Sequence, residues 1–95
     1  MDGREAALLT LNTCERQGGW SDAILKKQLK QAELTHRDAA LATQLCFGVL
    51  QNRMLLDFYL SHFSNIPLKR MESKVLQNLR IGAYQMLFLD RIPHS

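Results

Sequence analysis

The stretch Glu72 to Leu89, ESKVLQNLRIGAYQMLFL, decides how the rest of the chain is read. In its first half Val75, Leu76, Leu79, Ala83 and Met86 recur at three- and four-residue steps, which places them on one stripe of a helix. In its second half Ile81, Tyr84, Leu87, Phe88 and Leu89 fill the remaining sides, so the helix is apolar nearly all round from about Gly82. Such a helix is buried on most faces, and the other helices are expected to pack around it. Gly82 is expected to admit one of them close to its backbone, at a propensity cost of about 1 kcal/mol relative to Ala. Arg80 and Gln85 fall on what is expected to be its polar side.

Working outward, the segments before it carry clear helix boundaries. Asp2 with Glu5 three residues on opens a first helix, with Ala7, Leu8, Leu11 and Cys14 on one face and Gly18-Gly19 as its end. Ser21 caps a short second helix with Ile24, Leu25, Leu29 and Ala32 facing inward and Lys26, Lys27 and Lys30 on its other side. Thr35, with Asp38 three residues on, caps a third that runs toward Gln51 through Ala39, Ala42, Leu45, Cys46, Val49 and Leu50. Gly48 lies inside this pattern and marks close helix packing, since the pattern continues on both sides. A fourth segment has Leu55, Phe58, Tyr59 and Phe63 as apolar positions and stops at Ser64-Asn65-Ile66-Pro67.

No segment alternates with the period of a half-buried strand. The expected fold is all-α, an antiparallel bundle of four to five helices with the C-terminal helix buried at its centre. Ninety-five residues with 46% hydrophobic and 22% charged residues suit one small folded domain. No apolar run is long enough to span a bilayer, and MDGREAALL lacks a signal-peptide core, so no membrane role and a cytoplasmic location are expected. Cys14 and Cys46 are read as reduced core residues.

The chemical motifs are sparse. There is no C-x-x-C, H-E-x-x-H, glycine-rich phosphate loop or G-x-S-x-G elbow, and His36, His62 and His94 lack metal-ligand spacing. Glu5, Asp38 and Glu72 fall in first turns, where capping accounts for them. No catalytic residue, metal or cofactor is expected in this chain. Basic residues form three groups: Arg4 with Arg16; Lys26, Lys27 and Lys30 with Arg37; and Lys69, Arg70 and Lys74. With a net charge of +3, these are either solvated faces or a patch that neutralises phosphates. Trp20, Tyr59 and Tyr84 are the aromatic candidates for stacking on unpaired bases, with Tyr59 and Tyr84 read first as core.

A family resemblance adds to this. The run Arg37-Asp38-Ala39-Ala40-Leu41-Ala42-Thr43-Gln44-Leu45-Cys46-Phe47-Gly48-Val49-Leu50, with Arg53 and Leu56-Asp57 after it, resembles the pattern R-D-x-A-L-A-T-x-L-x-x-G-V-L…R…L-D. Leu79-Arg80-Ile81-Gly82-Ala83-Tyr84-Gln85-Met86-Leu87-Phe88-Leu89-Asp90-Arg91-Ile92-Pro93 resembles L-R-x-G-A-Y-Q-L-L-F-L-D-R-I-P of the same family. Both are similar to the NusB-like RNA-binding domain, in the form found at the N-terminus of Sun/Fmu-type 5-methylcytosine ribosomal RNA methyltransferases of bacteria. The opening Gly3-Arg4-Glu5-Ala6-Ala7-Leu8-Leu9 fits the start of that domain, so the resemblance covers essentially the whole chain.

The resemblance implies one NusB-like domain over residues 1–95, incomplete at its C-terminal end, since further helices follow I-P in the family. It implies an RNA-binding accessory domain that positions small-subunit ribosomal RNA for a separate S-adenosylmethionine-dependent cytosine-5 methyltransferase domain. That catalytic domain, its cofactor and its reactive cysteines would lie outside this chain, and Cys14 and Cys46 are not those cysteines. The alternative is a NusB-type transcription antitermination factor that binds leader RNA with a ribosomal protein. The residues expected to touch RNA are Arg4, Lys26, Lys27, Lys30, Arg37 and Arg80. Expected partners are RNA, the catalytic domain and a second copy held through exposed apolar surface.

Overall fold

The computed structural model describes residues 1–89, and these contain helices and no strand. The helices are α1 (Gly3–Gln17), α2 (Asp22–Gln31), α3 (His36–Gln51), α4 (Arg53–Phe63) and α5 (Ser73–Tyr84). A 3-10 turn at Leu68–Arg70 precedes α5, and a π-helical turn at Gln85–Leu89 continues it. The end of the second family-like run, Asp90 to Pro93, lies outside the described residues.

The caps form as their sequence signals require. The Asp2 carboxylate accepts from the Glu5 N–H at 2.8 Å, the Ser21 hydroxyl from Ile24 at 3.3 Å and the Thr35 hydroxyl from Asp38 at 3.1 Å. Each satisfies an amide that the first helical turn leaves without a carbonyl partner. Gly18 closes α1 at φ 105°, where a β-carbon would be strained, and Gly19 donates back to the Cys14 carbonyl at 2.9 Å. The α2–α3 turn does the same work without glycine, with Glu33 in the left-handed region at φ 49°.

α5 packs against α1, α3 and α4, and α1 packs against α2, α3 and α5, so the two helices share the middle of the bundle. Ala6, Ala7 and Leu11 of α1 meet Ala42, Leu45 and Val49 of α3 and Ile81, Ala83 and Tyr84 of α5 in one core. At about 25 cal/mol per Å² of apolar surface removed from water, this shared core supplies most of the drive to fold. α2 adds Leu25 and α4 adds Leu56, each the one fully buried residue of its helix.

The stripe expected on α5 is corrected in part. Leu76 and Ala83 are buried, but Val75, Leu79 and Met86 are exposed. The face that enters the core carries Leu76, Gln77, Arg80, Ile81, Ala83 and Tyr84 instead. An arginine can sit there because its charge is met in place, as described below. Gly48 behaves as expected: a β-carbon on it would fall within the ring of Tyr84, so that ring lies directly on the α3 backbone. Gly82 does not admit a helix. The nearest atom to a β-carbon placed there is a guanidinium nitrogen of Arg4, 3.8 Å away.

Candidate nucleic-acid interface and apolar groove

α2 is amphipathic over ten residues, with Leu25 held in the core and Lys26, Lys27 and Lys30 exposed to solvent. Lys26 and Lys30 are four residues apart and share a face, and Lys27 stands beside them. The turn through Glu33 brings the chain straight into α3, whose first turn carries the exposed Arg37. Among the described residues the ion pairs are Arg53–Glu15 and Arg80–Asp57, so none of these four cations is neutralised by a carboxylate. Exposed, unneutralised cations on adjoining elements are the arrangement that displaces counterions from a phosphate backbone.

Arg4 is placed differently. On the first turn of α1 and half-buried, it reaches across to α5, donating from Nε to Gln85 Oε1 at 3.0 Å and from one terminal nitrogen to Asn78 Oδ1 at 2.7 Å. Both partners are neutral amides, so Arg4 keeps its full charge while its orientation is fixed. Gln85, set apart in the sequence for its polar position, is one of the two groups that hold it. Asn78 carried no signal in the sequence, since an exposed helical asparagine is ordinary.

Arg80 is a correction. It does not stand on a polar side of α5: its side chain is 4% exposed, and it donates from Nε and a terminal nitrogen to the two carboxylate oxygens of Asp57 at 2.7 and 2.8 Å. This two-point pairing ties α5 to α4 and spends the charge internally. Asp57 lies 23 residues earlier, too far for any local pattern to mark the pair.

The aromatic candidates are also sorted. Tyr84 is buried and stacks on Phe88 with ring centroids 5.3 Å apart. Trp20 packs edge-on against Phe47 at 5.4 Å and donates its indole N–H to Asp22 at 2.9 Å. Tyr59 is half-buried on α4, in contact with Phe63.

Of the apolar positions of α4, Leu56 enters the core and Leu60 packs against it, but Leu55, Phe58 and Phe63 stay outside. Phe58 is 65% and Phe63 75% exposed, and Leu55 is exposed beside them. They border two grooves between α4 and the end of α5. One, about 580 Å³, is lined by Leu55, Phe58, Tyr59, Phe63, Leu87 and Phe88 among others. The second, about 590 Å³, takes in Tyr59, Phe63, Leu79, Met86 and Arg4. The sequence pattern of α4 shows an apolar face but not whether anything covers it.

Fold and surface together define a small all-helical module with a basic ridge on one side and an open apolar groove on another. More particularly, the chain belongs to the NusB family, whose sequence profile matches residues 1–95. It is 39% identical over 90 residues to the "Probable ribosomal RNA small subunit methyltransferase B" of Bacillus subtilis (strain 168), covering 95% of this chain and 20% of that protein. The protein of the same description from Synechocystis sp. (strain ATCC 27184 / PCC 6803 / Kazusa) is 24% identical, covering 100% of this chain and 21% of its own length. The "Ribosomal RNA small subunit methyltransferase B" of Escherichia coli O1:K1 / APEC is 31% identical over 65 residues, covering 68% of this chain and 15% of that protein. The chain thus spans about a fifth or less of the curated relatives it matches. No solved structure matches it significantly. No helix among the described residues is long and apolar enough to cross a membrane.

Proposed function

We propose that this chain is the RNA-binding module of a ribosomal RNA methyltransferase, and that it positions small-subunit RNA for an S-adenosylmethionine-dependent cytosine-5 methyltransferase domain on the same polypeptide. The observation that carries the reading is the ridge of Lys26, Lys27, Lys30 and Arg37, exposed and without carboxylate partners, on a member of the NusB family. Cys46, the residue whose acidity is displaced, is buried and neutral at ordinary pH. Catalysis and the cofactor are assigned to the part of the polypeptide outside this chain. The similarity to methyltransferases favours this over a free-standing antitermination factor that binds leader RNA with a ribosomal protein.

In mechanism, the lysines of α2 take phosphates by charge, releasing counterions, and Arg37 extends the track onto α3. Arg4, held by Gln85 and Asn78, offers a further oriented cation on another side of α1. Arg80 takes no direct part, because its side chain is buried with Nε and one terminal nitrogen engaged by Asp57.

The test is binding of a fluorescently labelled small-subunit RNA fragment by anisotropy across a salt series. Changing Lys26, Lys27 and Lys30 together to Ala removes about three phosphate contacts. For a single strand the slope of log K against log salt should then become shallower by about 2. An unchanged affinity and slope would refute the ridge.

A further inference from the structure

We propose that Phe47, with Trp20 as the wall beside it, is a stacking site for an unpaired base of the RNA strand whose phosphates lie on the lysine ridge. This rests on the RNA-binding reading and deepens it, since it assigns the contact that favours single-stranded over duplex RNA.

The placement follows from the turn between α2 and α3. Glu33, at φ 49°, folds the end of α2 back into the start of α3, and Trp20, next to the Ser21 cap of α2, meets Phe47 in the second half of α3 with ring centroids 5.4 Å apart. The two helices therefore run side by side in opposite directions. Lys30 and Arg37 stand at the closed end of this hairpin and the two rings at the open end. Arg37, Ala40, Gln44, Phe47 and Gln51 are all exposed and recur at steps of three and four, one stripe along α3. At 1.5 Å per residue, Phe47 is about 15 Å along the helix from Arg37. A short run of strand laid on the cations reaches the rings.

The pair leaves a ring face to offer. Its planes cross at 61°, edge against face, an arrangement that covers one face of one ring only, and Phe47 is 37% exposed. The indole is held in advance, its N–H donating to Asp22 Oδ1 at 2.9 Å. Gln44 and Gln51 flank Phe47 at three residues before and four after. Neither amide makes a hydrogen bond among the described residues, and each can donate to and accept from a base edge. The hollow that Trp20 borders with Gly19, Leu50 and Arg53 is about 40 Å³, room for a water and too small for a base. The base is therefore taken on the ring and not inserted behind it.

Charge selects this occupant. Lys26, Lys27, Lys30 and Arg37 stand on the same hairpin without carboxylate partners among the described residues, so the molecule drawn to it is a polyanion. An unpaired nucleotide brings a phosphate for the cations and a π face for the ring on one chain. A duplex brings the phosphates with its base faces already stacked.

The experiment is anisotropy with three labelled probes: a single-stranded oligoribonucleotide, the same strand annealed to its complement, and an abasic strand of equal length. Phe47→Leu keeps apolar bulk against Trp20 and removes the ring. It should weaken single-strand binding by about tenfold, within what one stacked base contributes, and leave duplex and abasic binding as they were. Its salt slope should equal that of the unaltered chain, because no charge is removed, whereas the triple lysine variant changes the slope, so the stacking site and the ridge fail separately. Phe47→Tyr should bind as the unaltered chain does, and an unchanged helical circular dichroism spectrum confirms the fold of each variant. Trp20 is the single tryptophan, so in the unaltered chain the single strand should quench its fluorescence and the abasic strand, at equal saturation, should not. Single-strand affinity indifferent to Phe47→Leu, a loss shared equally by all three probes, or equal quenching by the abasic strand would each overturn the proposal.

Discussion

The ring of Tyr84 on α5 occupies the space where a side chain on Gly48 of α3 would begin. The contact sets how near α5 comes to α3. Gly48→Ala gains about 1 kcal/mol of helix propensity but overpacks a ring that has no flexible end to withdraw, a cost of about 1–3 kcal/mol. A net loss of up to about 2 kcal/mol is expected in urea unfolding. In a Tyr84→Ala background the same change should become neutral or mildly stabilising, because the obstacle is gone. Equal losses in both backgrounds would show that the two residues are not coupled.

Arg80 and Asp57 make a separable prediction. Replacing Arg80 by Met leaves a carboxylate without its partner, but Asp57 is 30% exposed and water recovers part of the loss. The cost is therefore expected at about 2 kcal/mol, below the 3–5 kcal/mol of a fully buried pair. Lys at the same position should recover little, since an ammonium cannot make the two-point contact. Thermal melts measure both. The RNA salt slope of Arg80→Met should equal that of the unaltered chain, and a shallower slope would return Arg80 to the interface.

Arg4 offers the opposite balance. Arg4→Gln removes two hydrogen bonds to neutral amides, costing about 1 kcal/mol of stability, and one oriented cation. The salt slope should become shallower by about 0.7 if that cation meets a phosphate. Stability lost with the slope intact would make Arg4 a brace between α1 and α5 only.

Burial, with a smaller contribution from Cys14, pushes the Cys46 thiol from 9.0 up to about 12. The thiolate is therefore disfavoured in the folded chain and free to form in the unfolded one. Above pH 9.0 the unfolded state binds fewer protons, so stability falls as pH rises between 9.0 and about 12, and is unaffected by this group below that window. The slope is at most about 1.4 kcal/mol per pH unit, and Cys46→Ala should remove it. Iodoacetamide at pH 8 should label Cys46 only after denaturant is added.

Much of this was legible before any coordinates. Asp2, Ser21 and Thr35 act within three residues of themselves, so the helix starts could be read from the local sequence. The lysines of α2 were legible as a ridge for the same reason, since nothing distant alters an exposed side chain. The buried stripe of α5 was misplaced because its polar members depend on remote partners: Arg80 enters the core only with Asp57 from α4. The apolar face of α4 is legible as a period of Leu55, Phe58, Tyr59 and Phe63. Whether Phe58 and Phe63 are covered depends on what else is packed there, which no helical period records.

α2 gives the core one buried side chain, Leu25, with Leu29 packed partly buried against it. A helix so lightly anchored should open by itself at small free energy, its amides exchanging with deuterated solvent well before those of α3. The lysine ridge would then ride on a hinged strip over a stiff frame, able to follow the bends of an irregular strand.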